Sequence, residues 1–287
     1  MKITVAMDNC LPFNARGPLV AEHGVAFVVE AGGRRILYDT GQSGAVVNNL
    51  AALGLPPASL DAIIISHGHY DHAGGLAAVL AAARPEVEVL LHTKAFTARC
   101  SARPGGTVST GIPVAEAALK ALGGRWSQTD LPCEVAPGLW FSGSIPRVSP
   151  FETGDPRLLL PGADAPRPDP MEDDTVLYGR GAQGLVVIGG CTHAGLVNAV
   201  CHGFAVTGCD RLQAFIGGTH LGPATPDQQE RTLAQLEAWA PDLIAANHCT
   251  GFAVMSRLRH LFGARFRTAF VGETLEIASC PAPAFVE

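Results

Sequence analysis

The chain has little charge and no long apolar run, and each shortage excludes a class of protein. Charged residues make up 16% of its 287 residues, and the formal net charge is −6. Non-specific nucleic-acid binding needs a basic face, so the sequence predicts no nucleic-acid partner. No apolar run approaches the roughly 18 residues of a membrane-spanning helix, so we expect no membrane partner. Hydrophobic residues make up 47% of the chain, which is enough for a large core.

Cysteine is also used in a way that excludes a disulfide scaffold. The eight cysteines include no C-x-x-C pair, and they are sparse for a secreted domain stabilised by disulfides. The first ten residues have the pattern of a strand rather than a signal peptide, so we expect reduced thiols in a cytoplasmic protein. Cys191 and Cys249 each lie within two residues of a histidine where a predicted strand ends.

Short β-type runs alternate with helical segments along the chain, which predicts an α/β fold. Residues 25–30 with 34–39, and residues 175–179 with 184–190, are strand pairs joined by short turns, and each pair predicts a hairpin. Further strands are predicted at the N-terminus and at 61–66, 87–92, 212–218 and 242–247, and helices at 45–54, 76–83, 226–240 and 252–262.

Residues 150–174 are rich in proline, glycine and acidic residues. This composition predicts an exposed loop or lid and no core strand. A domain boundary at this segment would leave neither half with a complete sheet. We therefore expect one domain, residues 1–287, with two similar halves.

The segment SHGHYDHAGG, residues 66–75, begins where an apolar strand ends and stops where a helix begins. Functional side chains of α/β proteins gather at such strand ends. Imidazole and carboxylate groups are ligands for zinc, iron and manganese. Four side chains of these types fall within six residues: His67, His69, Asp71 and His72. The segment therefore predicts a metal centre.

The same segment is similar to the H-x-H-x-D-H signature of the metallo-β-lactamase superfamily. DTG at 39–41 resembles the strand-end aspartate that precedes this signature. Later segments resemble one branch, the dihydropteroate-synthase-like group that includes archaeal dihydropterin–ribofuranosylaminobenzene-phosphate synthases: SGSIPR (142–147), GGCTHAG (189–195), GGTHL (217–221) and NHCTG (247–251).

The resemblance implies a fold and a set of metal ligands. The fold is an αββα sandwich, with two mixed sheets flanked by helices and the metals at the edge between them. His67 and His69 would hold one ion, and Asp71, His72 and His248 would hold the other.

The middle ligands depart from the superfamily pattern. The superfamily usually supplies another histidine and then an aspartate that bridges both ions, but this chain has no histidine between His92 and His193. Cys191 stands where the aspartate would fall, so we expect Cys191 and His193 to take these two places. Both can face the metals only if the backbone stays extended through Thr192. The alternative is a buried thiol and an imidazole that supports the ligands.

Three other residues are candidates for the site. Asp39 is expected to orient a ligand histidine. His220 could bind substrate or transfer a proton, with a structural histidine as the alternative, and Arg147 could hold a phosphate or carboxylate, with a surface ion pair as the alternative. Structural or surface positions are expected for the remaining histidines, which are His23, His92, His202 and His260. The loop that carries His23 could nevertheless reach the pocket.

We expect two divalent transition ions, with zinc favoured and iron or manganese as alternatives. Such ions would favour hydrolysis by a metal-activated hydroxide that Asp71 helps to orient. The sequence thus predicts a metal-dependent hydrolase of a small, anionic substrate. The resemblance adds a transferase that condenses a dihydropterin diphosphate with an aminobenzene-type nucleophile. A non-catalytic metal-binding or redox protein is the third alternative. The oligomeric state stays open, with a homodimer among the alternatives.

Overall fold

The computed structural model describes residues 1–278. Its strands are, in chain order, β1 (Lys2–Met7), β2 (Ala26–Ala31), β3 (Arg34–Tyr38), β4 (Ala62–Ile64), β5 (Glu88–Leu91), β6 (Cys100–Arg103), β7 (Gly106–Ser109), β8 (Arg125–Gln128), β9 (Cys133–Ala136), β10 (Leu139–Phe141), β11 (Leu158–Leu160), β12 (Arg167–Pro168), β13 (Val176–Gly181), β14 (Gly184–Gly189), β15 (Leu212–Gly217), β16 (Leu243–Ala246), β17 (Phe266–Thr268) and β18 (Thr274–Glu276). Its α-helices are α1 (Ala45–Ala52), α2 (Tyr70–Ala73), α3 (Leu76–Ala82), α4 (Glu116–Ala121), α5 (Leu196–Thr207), α6 (Pro226–Trp239) and α7 (Phe252–Phe262).

Two seven-stranded sheets form the centre of the described residues. Their strand orders are β18-β1-β2-β3-β4-β5-β8 and β17-β16-β15-β14-β13-β10-β9. Both sheets are mixed: β3, β4 and β5 run parallel, as do β14, β15 and β16, whereas β2 with β3 and β13 with β14 are antiparallel. The two hairpins predicted from the sequence are therefore confirmed.

Three apolar clusters show how the layers pack. The first contains residues of both sheets, such as Phe27 and Ile188, and fills the space between them. The second packs the outer face of the first sheet against helices α1, α3 and α4, and the third packs the second sheet against α5, α6 and α7. Helices thus cover both outer faces, and the predicted αββα sandwich is confirmed.

Helix α6 shows how local sequence places an element. Its N-cap is Thr225, whose hydroxyl accepts a hydrogen bond from the backbone N–H of Gln228, and Pro226 occupies the first turn. Both residues are typical of helix starts, since proline there loses no helical hydrogen bond. No helix within residues 1–278 is long and apolar enough to cross a membrane.

Residues 150–174 differ from the expected loop. They contain β11 and β12, which join β6 and β7 in a third, four-stranded sheet of order β12-β11-β6-β7. Leu158 and Leu160 are buried in this side sheet. The proline-rich composition hides these strands because each is only two or three residues long. Whether the segment acts as a lid stays a prediction.

The parallel strands determine where the functional residues meet. His67 follows β4, Cys191 follows β14, His220 follows β15 and His248 follows β16. Carboxyl ends of parallel strands lie at one edge of a sheet, where α/β proteins bind ligands. Here the edges of both sheets meet, because the backbone N–H and hydroxyl of Thr175, just before β13, donate to the carbonyl oxygen of Ser66.

Candidate metal centre

The turn from Ser66 to His69 is held by close backbone packing. The backbone N–H of Gly68 donates to the carboxylate of Asp173 at 2.7 Å. A Cβ atom on Gly68 would lie 1.8 Å from the carbonyl oxygen of Ala95, so no larger residue fits. Gly68 is therefore needed for this close approach and not for a left-handed bend. His67 and His69 are fixed on either side of it.

A first cluster of imidazoles consists of His67, His69 and His193. Their ring centroids lie 4.7 to 5.0 Å apart. One nitrogen from each ring lies within 4.8 Å of the other two, and all three side chains are buried. The structure therefore brings His193, from the second sheet, to the two histidines of the first motif.

A second cluster surrounds the carboxylate of Asp71. Its Oδ2 atom lies 3.3 Å from Nε2 of His248, 3.2 Å from Nε2 of His23 and 3.8 Å from Nε2 of His72. This brings together the residues that the resemblance implies for a second ion and adds His23, whose loop reaches the pocket.

Cys191 lies between the two clusters. Its Sγ atom is 3.1 Å from Nε2 of His72, and it forms a compact group with His67 and His72. The condition that both residues can face the metals only if the backbone stays extended through Thr192 was wrong, because Thr192 has a left-handed φ of 58°. The hydroxyl of Thr192 donates to the carbonyl of Gly218 at 2.8 Å and fixes this conformation. Both Cys191 and His193 nevertheless face the ligand side chains.

His220 and Cys249 extend the centre beyond the ligands that the resemblance implies. The ring of His220 lies 4.1 Å from that of His193, and its Nε2 is 3.3 Å from the carboxylate of Asp155. The sulfur of Cys249 accepts a hydrogen bond from the backbone N–H of His220 at 3.2 Å. Cys249 also forms a cluster with Cys191 and His248. The proximity of Cys249 to a histidine in sequence was the signal for its place here.

Polar residues behind the imidazoles set their orientation. Oδ2 of Asp39 lies 2.7 Å from Nδ1 of His72, as the sequence predicts for this aspartate. Ser66 contacts both Asp39 and Nδ1 of His67, at 2.7 and 2.9 Å. Oδ1 of Asn9 lies 3.0 Å from Nδ1 of His248. In each pair one ring nitrogen is engaged, which leaves Nε2 of the same ring for another partner.

The free ring nitrogens indicate a metal. Four buried nitrogens have no hydrogen-bond partner within residues 1–278: His69 Nε2, His193 Nε2, His220 Nδ1 and His248 Nε2. Buried polar atoms are rarely left unpaired, so several converging on one site point to a missing partner. Imidazole, carboxylate and thiol groups together fit a transition ion.

The electrostatic environment favours the unprotonated imidazoles that such an ion needs. Burial lowers the pKa of His67 and His193 well below the usual value and that of His69 to about 3, and neighbouring histidines add to the effect. Burial would also lower the pKa of His72, but the carboxylates of Asp39 and Asp71 outweigh it and raise that pKa to about 9. A cation bound to Nε2 would replace this proton.

Arg147 lies beside the centre and is bonded to the backbone. Its guanidinium donates to the backbone carbonyls of Glu152, Pro170, His193 and Ala194 at 2.8 to 3.4 Å. These bonds tie residues 150–174 to the loop that carries His193. Because both terminal nitrogens of its guanidinium are engaged by the backbone, Arg147 supports the loop that carries His193. A role in holding the substrate stays a prediction.

The remaining histidines lie outside the two clusters. His92 contacts the hydroxyl of Ser144 at 2.8 Å, and His202 contacts the carbonyl of Ser142 at 3.0 Å. His260 is exposed on α7. These positions are the structural and surface ones that the sequence predicts.

An open cleft of about 230 Å³ leads to the centre. Its lining includes His69, Asp71, His193 and His220. It also includes residues of the side sheet and the adjoining loops: Ser101, Arg103, Thr110, Asp155 and Arg157. Sequence reasoning did not predict that these last residues border the site.

Comparison with known proteins agrees with the geometry. The model of the metallo-β-lactamase superfamily matches residues 20–206, more than half of the chain. The chain belongs to the metallo-β-lactamase superfamily. It is 26% identical over 296 aligned residues to the 7,8-dihydropterin-6-methyl-4-(β-D-ribofuranosyl)-aminobenzene-5′-phosphate synthase of Methanocaldococcus jannaschii, with 96% of each chain covered. The resemblance found in the sequence is therefore confirmed.

Solved structures of this superfamily share the fold. One is Tm1679, described as a metal-dependent hydrolase of the β-lactamase superfamily, with a TM-score of 0.79, 24% identity, and 97% of this chain and 100% of that chain covered. Another is zinc-bound PqqB from Methylobacterium extorquens, with a TM-score of 0.56, 12% identity, and 96% and 100% covered. At these identities the likeness concerns the fold alone.

Proposed function

We propose that this member of the metallo-β-lactamase superfamily is a metal-dependent hydrolase of a small, anionic substrate. The observation that carries the proposal is the set of buried ring nitrogens that converge without a hydrogen-bond partner at the carboxyl ends of strands from both sheets. Two ions are proposed, one held by His67, His69 and His193, and the other by Asp71, His72 and His248, with Cys191 between them.

Zinc is the ion that this donor set favours, with iron or manganese as alternatives. Burial raises the pKa of the Cys191 thiol, so a thiolate at this position needs a cation beside it. Thiolate ligands favour zinc and iron over magnesium and manganese. When bound, such ions act as Lewis acids and lower the pKa of coordinated water from about 15.7 toward 7.

The residues of the chain supply orientation and proton transfer. Burial would raise the pKa of Asp71, but His72, His23 and His248 lower it well below its usual range, so this carboxylate stays ionised and can accept a hydrogen bond from the attacking water. His220 is the proposed proton donor to the leaving group. Burial would lower the pKa of His220, but Asp155 outweighs this effect and helps to raise the pKa of His220 to about 9.

The transferase alternative rests on the 26% identity to the archaeal synthase over 96% of the chain. The same cleft would then accept a dihydropterin diphosphate, and an aminobenzene-type nucleophile would replace water. Nothing in the arrangement of the side chains favours this reaction over hydrolysis. A direct comparison of the two reactions is therefore part of the test.

The test combines elemental analysis with an activity screen of the purified protein. Phosphodiesters, lactones and thioesters are assayed for hydrolysis, and a dihydropterin diphosphate with 4-aminobenzoate is assayed for condensation. His69→Ala should lose most bound metal and all activity, whereas the control His260→Ala, a change on the surface of α7, should keep both.

Full metal content in His69→Ala would contradict the proposed ligands. Condensation by the wild type without hydrolysis of any ester would replace the hydrolase by the transferase. His220→Ala should keep its metal and lose activity. Loss of metal in that variant would make His220 a ligand and not the proton donor.

A further inference from the structure

The side sheet presents unpaired hydrogen-bond donors to the cleft. Ser101 on β6 and Thr110 just after β7 are both buried and both line the cleft. The hydroxyl of Thr110 has no hydrogen-bond partner within residues 1–278. A hydroxyl that is buried beside a cleft and lacks a partner is placed to bind a ligand.

Thr110 is fixed in this position by its own backbone. Its carbonyl oxygen accepts a hydrogen bond from the backbone N–H of Tyr70 at 3.0 Å. Tyr70 lies between His69 and Asp71 in the sequence. The backbone N–H of Thr110 donates to the carbonyl of Arg99 at 3.0 Å. The hydroxyl is therefore held beside the proposed metal ligands by the structure that forms them.

Arg103 adds a positive charge to the lining of the same cleft. It is exposed at the end of β6 and lines the cleft, and no carboxylate pairs with it in the described part of the chain. The other cleft arginine, Arg157, is engaged by Asp155 through Nε at 2.9 Å and Nη2 at 2.6 Å. His23 is engaged by Asp71. Arg103 is thus the cleft cation that is left for a ligand.

The three side chains share one chemistry. A guanidinium only donates hydrogen bonds, and hydroxyl groups donate to anionic oxygens. Charge-assisted bonds of this kind are the common means of holding phosphate and carboxylate groups. We propose that Ser101, Arg103 and Thr110 form a subsite that binds an oxyanion of the substrate, a phosphoryl, phosphonyl or carboxylate group, beside the metal ligands. This inference rests on the proposed function, which it makes specific.

The subsite can be tested by binding, separately from turnover. The probe is phenylphosphonate, titrated calorimetrically into the zinc-loaded full-length protein at fixed ionic strength, after the metal content of each variant has been measured. Arg103→Gln should weaken binding about tenfold or more, and Thr110→Val and Ser101→Ala each about threefold, as expected for lost charged and neutral hydrogen bonds. Arg103→Lys should restore part of the affinity, because it keeps the charge.

The matched control is Arg167→Gln. Arg167 is an exposed arginine of the same side sheet that does not line the cleft. It should leave the dissociation constant within about twofold of the wild-type value, since unpaired surface charges contribute little. Phenylphosphonate binding that is absent in the wild type, or unchanged in both Arg103→Gln and Thr110→Val, would overturn the subsite.

The outcomes separate this inference from the proposed function. Binding that depends on Arg103, in a protein that hydrolyses no ester, would leave the subsite standing and remove the hydrolase. Hydrolysis with a KM that does not respond to Arg103→Gln would support the hydrolase and remove the subsite.

Discussion

Asp39 connects the two sheets at the level of single side chains. Its carboxylate accepts hydrogen bonds from the backbone N–H and the hydroxyl of Ser66, and it contacts Nδ1 of His72. A Cβ atom on Gly190, from the second sheet, would lie 2.6 Å from Oδ2 of Asp39. The aspartate therefore packs directly under the residue that leads into Cys191.

Asp39→Asn should weaken metal binding about tenfold or more, because residues that orient ligands typically contribute 10- to 100-fold to affinity. Asparagine tolerates the left-handed φ of 62° at this position, so the fold should be retained. Competition with a chelating dye measures the affinity. Asp210→Asn, an exposed position after α5, is the control. Unchanged affinity in Asp39→Asn would show that His72 does not need this carboxylate.

Cys191 and Cys249 are distinguishable by their effect on a spectroscopic probe. If the thiolate of Cys191 is a ligand, cobalt-substituted protein should show a sulfur-to-cobalt charge-transfer band. That band should disappear in Cys191→Ser and remain in Cys249→Ser, because the Cys191 sulfur lies against His72 between the proposed ions. A band that remains in Cys191→Ser and disappears in Cys249→Ser would assign the thiolate ligand to Cys249.

The sequence could predict the residues of the first motif because their chemistry is local. Four ligand-type side chains within one turn need no tertiary contact to be recognised. Asn9 and Thr110 could not be predicted in this way, since each becomes relevant only when distant strands meet. The contacts of Arg147 could not be predicted for the related reason that the carbonyls it binds come from three different segments.

At the scale of elements, the side sheet is one part of the fold that the sequence did not predict. Helices α4 and α5 and the outer strands of the two large sheets were also not predicted: β8, β9, β10, β17 and β18. β6, β7, β11 and β12 are two to four residues long and show no regular alternation of apolar and polar residues. Hydrophobic periodicity needs a longer window to distinguish a strand from a loop. The central strands of the two large sheets and α6 lie in longer patterned segments and were predicted correctly.

Residues 150–174 should be cut by protease mainly within 161–166. This turn is exposed throughout and lies between β11 and β12. The part before it is anchored, because the carboxylate of Glu152 accepts hydrogen bonds from the backbone N–H groups of Val197 and Asn198 at the start of α5. Such bonds at a helix N-terminus stabilise both partners.

Limited digestion with proteinase K, followed by mass spectrometry, measures where the first cut falls. Glu152→Ala should shift early cutting toward residues 150–157, because it removes the anchor. First cuts inside 150–157 in the wild type would contradict the anchored segment.

At the scale of the whole molecule, the residues of the candidate metal centre come from both halves of the sandwich. The turn after β4 supplies His67, His69, Asp71 and His72, and the second sheet supplies Cys191, His193 and His248. The shared apolar core already holds the sheets together. An ion bound by ligands from both sheets would add a second connection at their edge, so metal and fold stability should be linked.

Removal of metal should lower the thermal midpoint substantially. A ligand at about 1,000 times its dissociation constant stabilises the native state by about 4.1 kcal/mol. For a protein of this size each kcal/mol shifts the midpoint by roughly 2–4 °C, so chelation should lower it by roughly 8–16 °C. Calorimetry with and without a chelator measures the shift.

His69→Ala and His248→Ala should each lower the thermal midpoint of the metal-loaded protein to a value close to that of the chelated wild type, although their histidines come from different sheets. His260→Ala should not. Unfolding in two separate transitions, with only one sensitive to metal, would show that the halves are not joined by the centre.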